Sequence, residues 1–173
     1  MKRTDIQQMP KFFDRYILQV EDIELLEGLK KNASLFEDEA IKDKLLALGD
    51  QVYAPDKWTA KDILQHIIDT ERIMAYRALR ISRNDATPLP GFDENFFAAN
   101  TTAANRTVDD LLEEFQIVRQ SSILLFKNMT ASMLQYEGIG SNQPIAPLAL
   151  GFVLIGHPTH HLKVLKERYF PLV

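Results

Sequence analysis

The sequence contains no cysteine. Disulfide bonds, thiolate nucleophiles and thiolate metal ligands are therefore excluded, and a bound metal would have to be held by His, Asp or Glu. The first residues, Met1 to Ile6, are not followed by the apolar segment that a secretory signal needs. We therefore expect a cytoplasmic protein.

Long apolar runs and an excess of basic residues are also missing. No stretch of about 18 apolar residues occurs, so no membrane-spanning helix is expected. The formal net charge is −4, whereas a general nucleic-acid binder needs a basic face to neutralise phosphates. A phosphate-binding loop, a dinucleotide fingerprint and a serine-hydrolase elbow are absent as well. With 46% hydrophobic residues, the chain suits one globular domain over residues 1–173.

Helical periodicity begins early in the chain. The first long helical segment covers residues 22–48, and imperfect apolar spacing near residues 32–34 allows a break there. Residues 10–20 before it suit a short extra helix. Little of the sequence has the alternating pattern of a strand.

The second helix has a clear start. The Thr59 hydroxyl suits an N-cap, and Asp62 stands where a carboxylate closes a capping box. The helix is expected to end near residues 82–85. A proline-containing loop at residues 86–93 follows, and its apolar residues indicate that it packs on the helices.

Two further helices are predicted in the second half of the chain. One begins after the N-cap Thr107, and the other covers residues 146–169 after a turn-rich connection at residues 138–147. The third helix has apolar positions that step by 4, 3, 4, 3 and 4, the pattern of a bundle stripe, at Leu111, Phe115, Val118, Ser122, Leu125 and Met129. The fold class is therefore all-α, a single four-helix bundle with short extra helices.

Histidine occurs four times, and His157, His160 and His161 lie within five residues of one another. Residues four apart on a helix lie about 40° apart around its axis and one turn apart along it. His157 and His161 can therefore direct two imidazoles at one ion. A pair formed by His157 and His160 is also compatible with the spacing. The fourth histidine, His66, lies 91 positions before His157 (157 − 66), at the edge of the apolar stripe of the second helix.

These residues can also have roles that involve no metal. A lone histidine such as His66 is more often half-buried, with its ring bonded to a backbone carbonyl. Glu71 is a candidate fourth ligand, but it follows His66 by five residues, about 140° around the helix, so the two cannot easily reach one ion. We interpret Glu71 and Asp69 as solvated or ion-paired carboxylates.

Four short motifs occur in order along the chain: KWT at 57–59, HIIDTER at 66–72, GHPTHH at 156–161 and KERY at 166–169. They resemble the segments KWT/S, H-x-x-D-x-E-R, GH-x-x-HH and KERY of the DinB/YfiT-like family. The ordered set is far more specific than any one motif. The match continues through residues 76–80, 88–95 and 109–119, extends upstream through residues 15–27, and so covers most of the chain.

The resemblance implies a four-helix bundle with one long crossover connection, commonly a homodimer. It also implies that a histidine of the second helix and two of the last helix bind a divalent metal, at His66, His157 and His161. Characterised relatives include metal-dependent transferases that join low-molecular-weight thiols, such as bacillithiol or mycothiol, to electrophiles. Many members have no assigned reaction, and some are described only as damage-inducible.

One position departs from the family pattern. The family usually has an acidic residue after the first histidine of the last motif, and Pro158 stands there in this chain. In the first turn of a helix a proline changes little. In the middle of the helix it is expected to cause a kink and to re-aim His157. An acidic partner for a ligating histidine is lost in either case.

The residues and the resemblance together predict a metal-dependent enzyme that acts on a small molecule, as a thiol S-transferase or a hydrolase. Three protein ligands leave coordination positions open, as in catalytic zinc sites. All-imidazole sites suit Zn, Ni, Fe or Cu. We expect Zn or Ni, with Fe or Mn as alternatives, a homodimer, and neither nucleic acid nor a membrane as partner. The alternative function is a non-catalytic bundle that binds a ligand or a partner during stress.

Overall fold

The computed structural model describes residues 1–173, and helices dominate it. The helices are α1 (Asp14–Ile17), α2 (Leu25–Ala33), α3 (Glu39–Leu48), α4 (Ala60–Ser82), α5 (Glu94–Ala99), α6 (Val108–Lys127), α7 (Ala131–Gln135) and α8 (Pro147–Val164). A π-helical segment (Leu165–Tyr169) follows α8, and short 3₁₀ turns lie at Arg3–Asp5, Ala103–Asn105 and Phe170–Leu172. Two strands, β1 (Gly138–Gly140) and β2 (Gln143–Ile145), form an antiparallel hairpin. None of the helices combines the length and the apolar character needed to cross a membrane.

Helices α2, α4, α6 and α8 form the four-helix bundle that the sequence predicts. Helix α4 packs against α6 and α8, and α2 packs against the same two helices, so α2 lies diagonally opposite α4. The Tyr169 hydroxyl, just beyond α8, donates to the carbonyl of Trp58, just before α4, at 2.7 Å. Gly138, upstream of α8, lies against Ile81 near the end of α4. Helices α4 and α8 are therefore antiparallel.

Threonine caps begin two of the bundle helices, as predicted. The Thr59 hydroxyl accepts from the backbone N–H of Asp62 at 3.2 Å, and the Asp62 carboxylate accepts from the backbone N–H of Thr59 at 2.9 Å. The Thr107 hydroxyl accepts from the backbone N–H of Asp110 at 3.1 Å. Each cap is worth about 1 kcal/mol. The Thr59 cap fixes the first turn of α4, about two turns before His66.

The segment predicted as one helix over residues 22–48 is two helices, α2 and α3, separated at residues 34–38. Asp38 caps α3 by accepting from the backbone N–H of Ala40 at 2.9 Å. Helix α3 leaves the bundle and packs against α6 and the C-terminal turn. The predicted extra helix at residues 10–20 is the shorter α1, which packs on α8.

The connection before α8 contains the β1–β2 hairpin, which the sequence did not predict. Ser141 and Asn142 have φ values of 53° and 63°, as a two-residue type I′ turn requires. The backbone N–H of Leu89 donates to the carbonyl of Ile139 at 2.9 Å, and the Leu89 carbonyl accepts from the N–H of Ser141 at 3.0 Å. The loop at residues 86–93 therefore packs against the hairpin, and buried Leu89 supports the predicted packing of this loop.

A polar layer divides the core of the bundle. The buried apolar side chains form two clusters, of 23 and 15 residues. On three helices, the buried apolar residues on one side of a buried polar residue belong to one cluster, and those on the other side belong to the second cluster. These polar residues are Glu71 on α4, Arg119 on α6 and His157 on α8. The histidines therefore lie at the same level of the bundle as a buried ion pair.

Candidate metal centre

Three imidazoles converge between α4 and α8. The Nε2 atoms of His66 and His161 each lie 3.0 Å from Nε2 of His157, and the candidate ligand atoms of all three lie within 4.8 Å of one another. Two nitrogens bound tetrahedrally to one ion at about 2.0–2.1 Å are roughly 3.3 Å apart. The spacing of the trio is close to what a shared ion needs, and the all-imidazole donor set suits a divalent transition metal.

His160 is not part of this group. Its ring packs edge-on against Tyr16, with 5.3 Å between the ring centroids. Of the two spacings compatible with the sequence, the structure therefore brings together the residues four apart, His157 and His161. The expected set of His66, His157 and His161 is assembled.

Burial lowers the pKa of all three imidazoles. Desolvation lowers the pKa of His66 from 6.5 to about 4 and that of His161 to about 3. Desolvation also holds the pKa of His157, which is 4% exposed, well below 6.5, and the neighbouring histidines lower it further. All three rings are therefore neutral at neutral pH, the form in which a ring nitrogen can bind a metal.

Pro158 lies in the interior of α8. Because proline has no N–H, the carbonyl of Leu154 lacks its helical partner. Nη2 of Arg119 on α6 donates to that carbonyl at 2.6 Å. His157 remains 3.0 Å from both neighbouring histidines, so the expected re-aiming of His157 is not observed.

Glu71 belongs to the polar layer and not to the histidine cluster. It is 2% exposed, and its two oxygens accept from Nε and Nη2 of Arg119 at 2.9 and 2.8 Å. The ion-paired reading of Glu71 is confirmed, and the solvated reading is wrong because α6 covers the carboxylate. Asp69 is partly exposed, accepts from the Gln65 amide at 2.9 Å and forms no ion pair, so of its two expected readings the solvated one fits and the ion-paired one is wrong.

The polar layer reaches α2 and returns to α8. Nη1 of Arg119 donates to the Asn32 side-chain oxygen at 2.8 Å, and the Asn32 amide donates to the Thr159 hydroxyl at 3.0 Å. Thr159 in turn donates to the carbonyl of Ile155 at 2.8 Å. These bonds connect all four bundle helices beside the turn that carries His157, and we infer that they hold this turn in place.

An open cavity of about 410 Å³ reaches the three histidines. The Trp58 ring lies 4.8 Å from the His66 ring, and the Tyr16 ring meets the His157 ring edge-on at 5.1 Å. The aromatic part of the wall comprises Phe12, Phe13, Tyr16, Trp58 and Phe92. The polar side chains of the lining, apart from the histidines and Tyr16, are Thr70, Glu94, Ser141, Asn142 and Gln143.

Sequence reasoning assigned neither Thr70 nor Tyr16 to this site. The periodicity of α4 places Thr70 in the apolar stripe, and its position four residues after His66 is a signal that it lies on the same face. Tyr16 has no such signal, because it comes from a short helix whose contact with α8 is set by tertiary packing.

The fold and the cluster together define a helical-bundle protein with one buried and two partly buried imidazoles at the floor of an open cavity. The sequence profile of the DinB superfamily matches residues 39–165, which include all three histidines, and the chain belongs to this superfamily. A solved structure with a similar fold is that of YfiT from Bacillus subtilis, described as a probable metal-dependent hydrolase with an unusual four-helix bundle topology. The TM-score is 0.70 at 15% sequence identity, and the match covers 96% of this chain and 91% of YfiT. No protein of curated function matches the chain significantly.

Proposed function

We propose that this protein is a metal-dependent hydrolase of a small molecule, in which His66, His157 and His161 hold one divalent ion. The observation that carries the proposal is the convergence of three neutral imidazoles at the floor of a cavity. The similarity to YfiT, a probable metal-dependent hydrolase, supports the same class of reaction. Zn or Ni is the expected ion, with Fe or Mn as alternatives.

A divalent ion with open coordination positions supplies a Lewis acid and lowers the pKa of a coordinated water toward about 7. His66, His157 and His161 would hold the ion, and the open cavity that reaches them would admit a substrate. The rings of Trp58 and Tyr16 shield the imidazoles from bulk water, which strengthens electrostatic interactions there. Hydrolysis would join a water oxygen to the carbon of the scissile bond, break the bond to the leaving group and move one proton from the water to that group. Glu94 is the carboxylate of the cavity wall and the candidate carrier of that proton.

Thiol transfer is a second candidate, and a second cavity favours it. A space of about 250 Å³ is lined by His161 and Trp58, which also line the larger cavity, and by Lys57. Two substrates would therefore have space to bind next to each other, one in each cavity, with His161 and Trp58 between them. Since the chain has no cysteine, the thiol would be a small-molecule co-substrate, and Lys57 could pair with an anionic group on it.

The metal content of untagged protein tests the proposal. Protein stripped with a chelator and then loaded should retain about one equivalent of Zn or Ni after gel filtration. His161→Ala should lose the metal, because one of three ligands is removed. His160→Ala is the matched control, since His160 lies outside the cluster, and it should retain the metal.

Loss of metal from His160→Ala and His161→Ala to the same extent would contradict the assignment of ligands, and so would wild-type protein that binds no divalent ion. Metal-loaded wild type should hydrolyse members of a panel of small esters and amides. Turnover that requires both a thiol and an electrophile would instead establish the transferase. Metal binding without either reaction would favour the non-catalytic alternative.

Two further expectations stay predictions. The homodimer is tested by sedimentation of the purified protein, and the cytoplasmic location is tested by cell fractionation. Neither is needed for the chemistry proposed above, because all three histidines come from one chain.

A further inference from the structure

Thr70 lies in the wall of the cavity, and its hydroxyl is buried and has no hydrogen-bond partner. Thr70 is 4% exposed, and its Oγ1 atom accepts from and donates to no other group of the protein. It is the one buried side-chain polar atom without a hydrogen bond. Because an unpaired buried hydroxyl costs free energy, such an atom in a cavity wall indicates a group kept free for a ligand.

Other buried or partly buried serine and threonine hydroxyls in the bundle helices bond to their own helix. Thr159 donates to the carbonyl of Ile155 at 2.8 Å, and Ser122 donates to the carbonyl of Val118 at 3.1 Å, each four residues earlier. The equivalent acceptor for Thr70 is the carbonyl of His66, and no such bond forms. The hydroxyl is therefore uncommitted, and a rotation about the Cα–Cβ bond would turn it toward a molecule in the cavity.

Thr70 lies between the histidines and an apolar end of the cavity. It follows His66 by one helical turn, about 6 Å along the axis of α4, and Met74 follows by one turn more. The antiparallel α8 presents Val153 to the same cavity. A ligand that enters beyond the histidines would meet the Thr70 hydroxyl first and the apolar side chains after it.

The protein's own charged side chains around the cavity, without a bound ion, favour a neutral ligand. No Lys or Arg is among its lining residues, whereas Glu94 adds a negative charge. The nearby Arg15 is engaged elsewhere, because its guanidinium lies 3.8 Å from the Phe12 ring centroid and donates to the Tyr16 hydroxyl at 3.0 Å. An anionic group in the cavity would meet a carboxylate and no free cation from the protein.

We propose that the cavity takes a neutral ester or amide with an aromatic or other apolar acyl group, and that the Thr70 hydroxyl binds its carbonyl oxygen. The acyl group lies against Met74 and Val153, and the bond to be cleaved lies on the histidine side. This inference rests on the proposed hydrolase and names its class of substrate. Thr70 acts as a substrate-binding and specificity-determining residue.

Benzamide binding to three proteins, wild type, Thr70→Val and Thr70→Ser, tests the inference. Benzamide is a neutral aromatic amide, and toluene is a control of similar size without a polar atom. Affinities are measured by NMR titration in both metal-loaded and metal-free protein. Thr70→Val should weaken benzamide binding about five- to tenfold, the value of one hydrogen bond, and Thr70→Ser should stay within about twofold of wild type. Toluene affinity and metal content should not change.

The stability of Thr70→Val separates a binding role from a structural one. Because valine removes an unpaired buried hydroxyl and keeps the shape of the side chain, the melting temperature should equal or exceed that of wild type. A lower melting temperature together with lost toluene binding would mean a structural role and would overturn the inference. Equal benzamide affinities of Thr70→Val and wild type would overturn it as well.

An anionic analogue of benzamide tests the preference of the cavity for a neutral ligand. 4-Carbamoylbenzenesulfonate carries the same amide with an added anionic group, and it should bind metal-free protein about tenfold more weakly than benzamide does, because no bound cation offsets the charge of Glu94. Equal or tighter binding of the anion, or no benzamide binding by wild type, would overturn the substrate class. Thr70-dependent benzamide binding in a protein that binds no divalent metal would support the binding role of Thr70 and refute the hydrolase.

Discussion

Arg119 supplies, from the neighbouring helix, the hydrogen bond that the backbone of Pro158 cannot make. Pro158 cannot donate to the carbonyl of Leu154, and Nη2 of Arg119 donates to it from the neighbouring helix at 2.6 Å. The guanidinium is fully buried and is held by both oxygens of Glu71. A side chain of α6 thus replaces a backbone donor of α8, one turn from the histidines.

This relationship predicts a measurable coupling between positions 119 and 158. Arg119→Lys keeps the charge beside Glu71 but loses the fork that reaches Leu154. Pro158→Ala restores the N–H that Leu154 lacks, so Arg119→Lys should cost about 1 kcal/mol less in that background than in wild type. Urea unfolding of the two single variants and the double variant measures the difference. Purely additive effects would show that Arg119 does not compensate for the proline.

Removal of Glu71 should be much more harmful than removal of a surface carboxylate. Glu71→Ala leaves the Arg119 charge buried without a partner, and we expect a loss of about 3–5 kcal/mol in the free energy of unfolding. Glu21→Ala is the control, because its ion pair with Lys31 is largely exposed and is worth about 0–1 kcal/mol. Similar losses in the two variants, measured by urea unfolding, would contradict a stabilising polar layer.

A side chain at position 156 should separate α1 from α8. A Cβ on Gly156 would overlap the carbonyl oxygen of Tyr16, so Gly156→Ala forces the backbone of α1 away. We expect a destabilisation of about 1–3 kcal/mol and, because Tyr16 packs on His157, weaker metal binding. Gly91→Ala is the matched control, since its nearest neighbour, Ser141 Oγ, is 3.7 Å away. Calorimetry and metal titration of both variants measure these effects.

Metal removal should lower the melting temperature of wild type. An ion at about 1,000 times its Kd stabilises the folded state by about 4 kcal/mol if it does not bind the unfolded chain. Excess chelator should abolish this gain. His66→Ala should melt at nearly the same temperature with and without metal. A metal-dependent shift of full size in this variant would place the ion elsewhere.

Features set by neighbours in sequence were predictable. Thr59 and Asp62 are three residues apart, so the start of α4 follows from local chemistry, and the same holds for Thr107. The interrupted spacing near residues 32–34 indicated a break, but the direction in which α3 leaves the bundle depends on its contacts with distant elements. The β1–β2 hairpin was missed because its strands are only three residues long.

The site, too, has features that local spacing predicts and features that depend on which helices pack together. The spacing of His157 and His161 suggests a pair, whereas His66 joined them through the family resemblance and not through its own periodicity. The bond between Arg119 and Glu71 joins positions 48 apart, and no helical pattern indicates which two helices will face each other. The missing N–H of Pro158 follows from the sequence, but the side chain of Arg119 that compensates for it does not.

The separation of His66 from His157, 91 residues (157 − 66), has a consequence for a chain without cysteine. An ion held by both would be a cross-link that closes a loop containing α6 and its Arg119. In the chain-entropy model, a permanent cross-link over that many residues lowers the conformational entropy of the unfolded chain and so stabilises the folded state by about 4–5 kcal/mol. A chelator would then affect this protein as a reducing agent affects a disulfide-bonded domain.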